Sequence, residues 1–544
     1  YSLGDVMPLL AEASPRKFLS AVETSLDSEE KAVMGMFTET DDGFTSRSAH
    51  HHLLWALEAL AWDNNYFRRS VMALCKLSVL DKGGKVLNRP LNSLRSIFRL
   101  WLPQTEASTD NRFEILSKIA QEYDEIGWNL LVSLLPKSHD TGSYTYRYKW
   151  RELSCSTDIR VTRSEHYDST CRLVELLLPL LGLSVNRWIN LLDHYPELPV
   201  HSKEALLEYF RSNVSNIQDT EFRLMKQLRY IVSRHRTFKT ANWAMPEEYI
   251  KPLEAMYLLI QPKAANTKNK YLFDDQFPDL IDGKEDYKKD REYIHMIRTK
   301  AVEELLSEVG FTGLIEFSNT IGFQHLLADA VKTDVISENL DSILGLLASD
   351  NVGELYFSQH LIRKGFTEFG MQWGQSLIQL SIRENWVAKK IVNLALSFPS
   401  EKWLWDLIND VNPEIQQDYW GLVQIYHYNM TIEDITYVLD KLNKANRFYT
   451  SLEIADDQKS SIPIDLIIEI LELVATKKCM ERQNSMVTYY AEELLELVQS
   501  SSEVDIKIKQ RLEWFYMMTC RIIQRPSLKC WAWYINQSNL KKLP

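Results

Sequence analysis

The sequence predicts an all-α protein, an irregular α-solenoid of stacked helical hairpins of the TPR or HEAT kind, and three observations predict it. Apolar residues recur at three-and-four spacing, the period of one buried helix face, whereas the alternating β-branched runs that mark strands are almost absent. The chain holds 544 residues, beyond the ~100 to 200 of an ordinary domain, while stacked hairpins grow without that ceiling because each packs only on its neighbours. The stripes also come in pairs divided by short breaks with helix-end chemistry. No repeat period aligns, so the hairpins are irregular rather than copies of one consensus.

Before the first clear hairpin, Val6 to Leu26 has helical pattern, with Pro15 near a second helix start. His50 to Thr105 then shows the unit best. Leu53, Leu57, Leu60 and Ala61 form one stripe, Phe67, Val71, Leu74 and Leu77 a second, and Leu91, Leu94, Ile97 and Trp101 a third. Asn64 and Asn65 are candidate caps, Gly83-Gly84 permits a left-handed turn, Asn88 and Pro90 suit a helix start, and Pro103 stops the third helix. Asp110 to Ala120 and Ile126 to Leu135 make the next pair, split at Tyr123-Asp124-Glu125 and closed by Pro136. Residues 1–136 are therefore read as an N-terminal array.

Residues 137–161 interrupt the pattern with a polar, aromatic and basic insertion, long enough to be functional or to hold a short strand pair. Thr162-Arg163-Ser164-Glu165 has capping-box spacing and opens a middle array over 162–260, in which Phe222 to Phe238 carries many basic residues. The composition of 261–290 shifts to Lys, Asn and Asp with Pro262, Pro278 and Gly283, the pattern of a surface loop and the best candidate for a domain boundary. A C-terminal array over 291–544 follows, from about Arg291 to Val309 onward, punctuated by Pro399, Pro413, Pro463 and Pro526.

Composition narrows the function. Formal charge is −12, from 62 basic and 74 acidic residues, which argues against a chain-wide nucleic-acid or anionic-membrane surface and favours a protein partner. Cys75, Cys155, Cys171, Cys479, Cys520 and Cys530 are scattered with no CxxC pair, which suits a reducing cytoplasm. No signal sequence opens the chain, and the longest apolar run, near Leu173 to Leu183, is broken by Glu175 and Pro179. Beginning at Tyr1 inside helical pattern, the chain is expected to be a piece of a larger protein.

No catalytic or cofactor motif stands out. Gly83-Gly84-Lys85-Val86 lacks the hydroxyl and upstream glycine of a phosphate loop, and a helix terminator explains it. His50-His51-His52 points its side chains apart and has no partner at ligand spacing, so it reads as a polar helix start. Arg89 in Asn88-Arg89-Pro90 is expected to pair with a neighbouring carboxylate. We therefore expect no catalytic, metal or cofactor site in this chain. Two clusters are candidate partner-binding sites. Tyr144, Tyr146, Arg147, Tyr148, Lys149 and Trp150 alternate ring and cation, as contact surfaces do, or else fold back onto the array. Arg234, His235 and Arg236, with Arg223, Lys226, Arg229 and Lys239, form a basic helix that is a solvated or internally paired face, or contacts phosphate or an acidic partner.

WALEALAW (Trp55 to Trp62), NRPLNSLR (Asn88 to Arg95), WLPQT (Trp101 to Thr105), RHRTF (Arg234 to Phe238), ANWAMPEE (Ala241 to Glu248), KWLWDL (Lys402 to Leu407) and Asp418-Tyr419-Trp420 are the most distinctive landmarks. Together they resemble the C-terminal helical-repeat region of bacterial antiviral STAND proteins, the antiphage-defence NTPases. The resemblance covers most of the chain. It implies a sensor module that binds a phage protein and thereby drives oligomerisation, often to a tetramer, that switches on an effector enzyme lying outside this chain. None of that family's catalytic parts has a counterpart here. The readings that compete with a non-catalytic recognition module are a plain scaffold joining other domains and an enzyme site assembled from dispersed residues around His235 and the 137–161 insertion. If Tyr146, Tyr148 and Trp150 stand exposed, their replacement by Ala should weaken partner binding by ~2 kcal/mol or more per hot spot at an unchanged thermal midpoint; if they are core, the midpoint should fall instead.

Overall fold

The structure is a computed structural model that describes residues 4–41, 46–152, 161–284, 287–426, 430–482 and 485–519. Residues 153–160 of the insertion, and with them Cys155, lie outside the described residues, as do Cys520, Cys530 and Pro526. The chain divides into two compact units, residues 1–262 with 279–290, and residues 263–278 with 291–544. Almost all regular structure is helical. A two-residue antiparallel ribbon, Thr40–Asp41 with Ser46–Arg47, is the β pairing found among the described residues.

The first unit holds α1 (Met7–Ala13), α2 (Pro15–Asp27), α3 (His50–Trp62), α4 (Asn64–Leu80), α5 (Pro90–Phe98), α6 (Thr109–Glu122), α7 (Asp124–Ser133), α8 (Arg163–Leu181), α9 (Val185–Asp193), α10 (Val200–Asn213), α11 (Arg223–Thr237) and α12 (Glu247–Ile260). Sequential helices pack as hairpins, α3 on α4 and α6 on α7. Alternate helices then line up in two rows, α1, α3, α5, α7 and α2, α4, α6, α8. Contacts between helices fall mainly between next or next-but-one neighbours, which is the packing of a solenoid. The unit is an irregular stack of helical hairpins, as the apolar period predicts.

Of these helices α3 is the most deeply enclosed. Every residue from Ala56 to Trp62 is buried, Glu58 included, so α3 needs cover on all sides rather than along one stripe. Phe67 of α4 meets Phe98 of α5 edge-on with centroids 5.6 Å apart, and Trp188 meets Phe210 likewise at 5.3 Å. Helix ends follow local chemistry. Thr162 and Glu165 form a reciprocal capping box at α8, and Gly83 takes the left-handed turn after α4 at φ 77°. The cap of α4 is Asp63, which accepts the Asn65 N–H, rather than either asparagine. Likewise α5 ends at Phe98, short of Trp101, whose side chain turns outward instead of completing the stripe.

The second unit holds α13 (Ala265–Asn269), α14 (Tyr271–Asp274), α15 (Tyr287–Ser318, in this unit from Arg291), α16 (Gln324–Ala330), α17 (Thr333–Glu338), α18 (Leu340–Leu346), α19 (Val352–Phe369), α20 (Met371–Arg383), α21 (Ala388–Ala395), α22 (Lys402–Asn409), α23 (Pro413–Leu422), α24 (Ile432–Lys444), α25 (Phe448–Asp457), α26 (Ile464–Thr476), α27 (Val487–Ser500) and α28 (Ile506–Thr519). Its neighbours again run α19 to α20 to α21 and α25 to α26 to α27, with α20 on α22 and α26 on α28. The helix expected to end near Val309 does so: Gly310, at φ 67° and ψ −173°, leaves the helical region, and a second helical segment follows it to Ser318.

The segment expected to be a surface loop, 261–290, is corrected by the structure. It contains α13 and α14, and Ala265, Leu272, Phe273 and Leu280 are buried. The Lys- and Asp-rich composition hid four apolar anchors spaced too far apart to make a stripe. Arg298 fixes part of the segment by donating to the carbonyls of Leu272 and Asp275, both at 2.8 Å.

Helix α7 approaches α6 so closely that a Cβ on Gly127 would sit 2.6 Å from the Ala120 Cα. Glycine to alanine in a helix interior ordinarily stabilises by ~1 kcal/mol. At Gly127 the sign should reverse, with Gly127→Ala losing about 1 to 3 kcal/mol because α6 and α7 must move apart. Urea unfolding followed by circular dichroism checks it, and a stabilised variant would contradict the close packing.

Candidate recognition surfaces

Residues 137–152 have no helix and no strand; they run as an irregular strap over the α1 and α3 side of the first unit. At one end Asp140 accepts from the Arg95 guanidinium at 2.5 Å and from the Trp101 indole at 2.8 Å, with Arg99 at 3.9 Å. Three buried side chains then take main-chain N–H groups in succession. Gln104 Oε1 accepts from Thr145 at 3.0 Å, Glu58 Oε2 from Tyr146 at 3.1 Å, and the Glu12 carboxylate from Lys149 at 2.9 Å and from Trp150 and Arg151. Glu12, Glu58 and Gln104 are at most 7% exposed. A second oxygen of Glu58 accepts the Ser93 hydroxyl at 2.6 Å. Burial pushes the Glu58 carboxyl above its ordinary range, against the opposing pull of its hydrogen bonds from Ser93 and Tyr146.

Side chains of the strap divide by direction. Tyr146 stacks on Trp55 with centroids 5.8 Å apart, the Arg147 guanidinium lies 3.9 Å over the Trp62 ring, and Tyr148 packs on the core. Thr145 is buried, its hydroxyl accepting from the Trp62 indole at 2.9 Å. Tyr144 and Trp150, by contrast, are 65% and 76% exposed, and Lys149 is exposed beside Trp150. The candidate cluster is therefore half fold and half surface: Tyr146, Arg147 and Tyr148 hold the strap down, while Tyr144, Lys149 and Trp150 face solvent.

The basic helix divides in the same way. Arg229 and His235 are buried, and Arg236 is closed in by Glu254 at 2.6 Å, by Glu247 and by the Ile281 carbonyl at 2.8 Å. His235 Nδ1 accepts the Met245 N–H at 3.0 Å and its ring meets Trp243 edge-on. Burial, with repulsion from Arg234 and Lys203, pushes His235 down to about 4. His235 and Arg236 are thus core and internal ion pair rather than contact residues. Arg223, Lys226, Tyr230, Arg234 and Phe238 fall at spacings of three and four along the opposite, exposed face. Arg234 is held by rings: it donates to the Tyr230 hydroxyl at 2.7 Å and lies 4.9 Å from the Trp243 centroid. Phe238 meets Trp243 at 5.7 Å, and Tyr230, Phe238 and Trp243 are each 40% or more exposed.

Other sequence candidates have plain structural roles. Arg89 pairs with Glu39 and with Asp81, as expected of a helix-start arginine. Of the three adjacent histidines, His50 is fully buried, bridging the Ser48 hydroxyl and the Asn88 carbonyl at 2.6 Å each, so the polar-start reading fits only His51 and His52. In the second unit a concavity of about 440 Å³ is lined by His295, Thr299, Asp329, Lys332 and Lys364. Its cations are engaged, Lys364 by the carbonyls of Asp329 and Val331 and Lys332 by Glu303. Among the described residues no three His, Cys, Asp or Glu side chains are grouped to hold a metal, and no helix is long and apolar enough to cross a membrane. Sequence reasoning missed Glu12, Glu58 and Gln104 as acceptors and Tyr230 and Trp243 as ring partners. A lone carboxylate inside WALEALAW was the one available signal.

No protein-family model and no curated protein matches the chain. Among solved structures it is similar to a circular tandem repeat protein with novel repeat topology, at 12% identity over 95% of this chain and 96% of that one, with a TM-score of 0.18. It is similar also to the karyopherin Kap121p bound to Pho4p, at 13% identity and TM-score 0.20, and to Kap121p bound to the SUMO protease Ulp1p, at 12% and 0.19. Each covers 96% of this chain, which spans about half the length of the karyopherin, 52% and 51%. Likeness at such scores carries no weight for fold or partner; the helical-repeat assignment rests on the chain's own packing, an architecture that serves protein interaction and scaffolding generally.

A histidine whose folded pKa lies below its unfolded value binds its proton more readily in the unfolded chain, so stability is lost as pH falls from 6.5 toward about 4. His235 should therefore contribute a loss of about 2 kcal/mol between pH 7.5 and pH 5. His235→Gln keeps an acceptor for Met245 but does not titrate, and urea unfolding at the two pH values should show a correspondingly smaller loss. An unchanged acid-side loss would mean that His235 is protonated in the folded state.

Proposed function

We propose that this chain is a non-catalytic protein-recognition module and, following the sequence landmarks, that it is the sensor region of a STAND-type antiphage protein that binds a phage protein. On this reading partner binding drives the self-association of the larger protein, and the chemistry belongs to domains outside this chain. The observation that carries recognition is the Tyr230, Arg234, Phe238 and Trp243 patch. An exposed guanidinium held between rings rather than by a carboxylate is pre-ordered, and it keeps its charge available to an incoming acidic group. Aromatic and arginine side chains of this kind concentrate binding energy at interfaces. A partner presenting a carboxylate beside apolar side chains fits it. The plain-scaffold alternative gives no reason for an ordered cation and three rings in solvent.

The test is capture. The chain, immobilised, should retain a protein from phage-infected but not from uninfected bacterial lysate, and the purified chain should hydrolyse neither ATP nor NAD nor DNA. Trp243→Ala with Arg234→Ala should weaken capture by ~2 kcal/mol or more at an unchanged thermal midpoint. Infection-independent capture would favour the scaffold, and turnover abolished by a point change in this chain would favour an enzyme.

A further inference from the structure

The strap is held by its backbone. Gln104, Glu58 and Glu12 come from the turn after α5, from α3 and from α1, and together they accept main-chain N–H groups from Thr145 through Arg151. Side-chain acceptors that project from a helical stack and take N–H groups from an irregular segment hold whatever extended chain lies there, because every residue except proline carries that donor. Selectivity on this face comes from two rings. Trp55 stacks the ring of Tyr146, and Trp62 receives the guanidinium of Arg147, so an aromatic residue followed directly by a basic one is read. Both carboxylates add attraction for a basic segment, in a chain of net charge −12.

The segment seated there fits incompletely. Gln104 Nε2, Arg147 Nε and the Tyr148 hydroxyl, all buried atoms at this interface, find no hydrogen-bond partner among the described residues, and neither does Arg99 Nη1. Gly142 also passes so close to Arg99 that a Cβ there would overlap the guanidinium. No ladder or helix hydrogen bonds support residues 137–152, so their attachment depends on these side-chain contacts. Beneath the strap the helices are held by one another, α1 on α3 and α3 on α4 and α5.

We propose that the α1 and α3 face of the first unit is a peptide-binding surface whose built-in occupant is the strap, displaced by an extended segment of a protein partner that carries an aromatic residue followed by a basic one. The proposal deepens the protein-recognition reading and rests on it. Displacement would release Tyr144 to Trp150 together and leave the helical stack intact.

The probe is a fluorescently labelled peptide with the sequence of residues 140–151, added to the full chain and followed by anisotropy. The unaltered chain should bind it weakly, because its own strap competes. Tyr146→Ala with Arg147→Ala, which loosens the strap and leaves the face unchanged, should bind it at least tenfold more tightly. Adding Glu58→Ala should remove that gain, and a peptide with Ala at the position of Arg147 should bind at least tenfold more weakly. No binding by a folded strap variant, or binding indifferent to Glu58, overturns the proposal. Hydrogen exchange on the unaltered chain decides the matter should that variant not fold. Amides of Tyr146, Lys149 and Trp150 should exchange at least a hundredfold faster than those of α3, and exchange at the α3 rate would mean that the strap never opens separately. Because the probe is the chain's own segment, failure here leaves recognition through Trp243 and Arg234 standing, whereas failure of lysate capture leaves peptide binding measurable.

Discussion

The Glu58 carboxylate, placed in a stretch of α3 where every neighbour from Ala56 to Trp62 is buried, is the interaction on which the first unit's surface depends. A buried carboxylate without donors is strongly unfavourable, so something must reach it. Ser93 supplies one hydroxyl from α5, and the other oxygen takes the Tyr146 N–H. Meeting that need fixes the register of the strap. With Tyr146 N–H on Glu58, the Thr145 hydroxyl reaches the Trp62 indole, Arg147 lies over the ring of the same tryptophan, and Lys149 to Arg151 arrive at Glu12. One polar side chain in an apolar helix thus accounts for which strap residues are anchors and which face water.

The basic helix α11 obeys a different constraint, that of a helix covered on one side only. Leu224, Met225, Leu228, Ile231 and Val232 take the inner face, and residues next to them in phase go inward whatever their charge. Arg229 and His235 are drawn in, while Arg236 at the margin is compensated by Glu247 and Glu254. Only the positions in phase with Tyr230 remain for a partner. Counting cations along a sequence overstates a basic surface for this reason, and sorting them by helical phase corrects it.

The helical period made the architecture legible, and so did caps whose chemistry is complete within four residues, such as Thr162 with Glu165. Arg89 as an ion-paired helix start was legible too, since arginine beside Pro90 faces back toward the preceding turn. What stayed hidden is non-local. The Glu12 contact to Lys149 spans 137 residues, and nothing near Glu12 in sequence announces it. Trp101 looked like the end of a stripe because its spacing fits, yet α5 stops at Phe98 and the indole goes to Asp140 of the strap. In 261–290 the apolar anchors are isolated within polar sequence, so composition pointed to a loop where α13 and α14 form. The candidate clusters were found as stretches, but which member faces outward depends on partners a stretch does not contain.

The same division between local and non-local contacts orders the energetics of the first unit. Helix contacts run mainly between next and next-but-one elements, so the stack forms from short-range pieces that need no distant partner. The strap is the exception, joining residues after α7 back to α1 and α3. Closing so long a loop carries an entropic cost that grows only slowly with length. Its attachment must therefore come from the few side-chain contacts at Gln104, Glu58 and Glu12, whereas the helices beneath it share a continuous apolar core. Segments of a folded protein open independently when they bury little and are held by few bonds. The strap meets that description and α3 does not, so local opening of the first unit should begin at the strap and leave the helical stack folded.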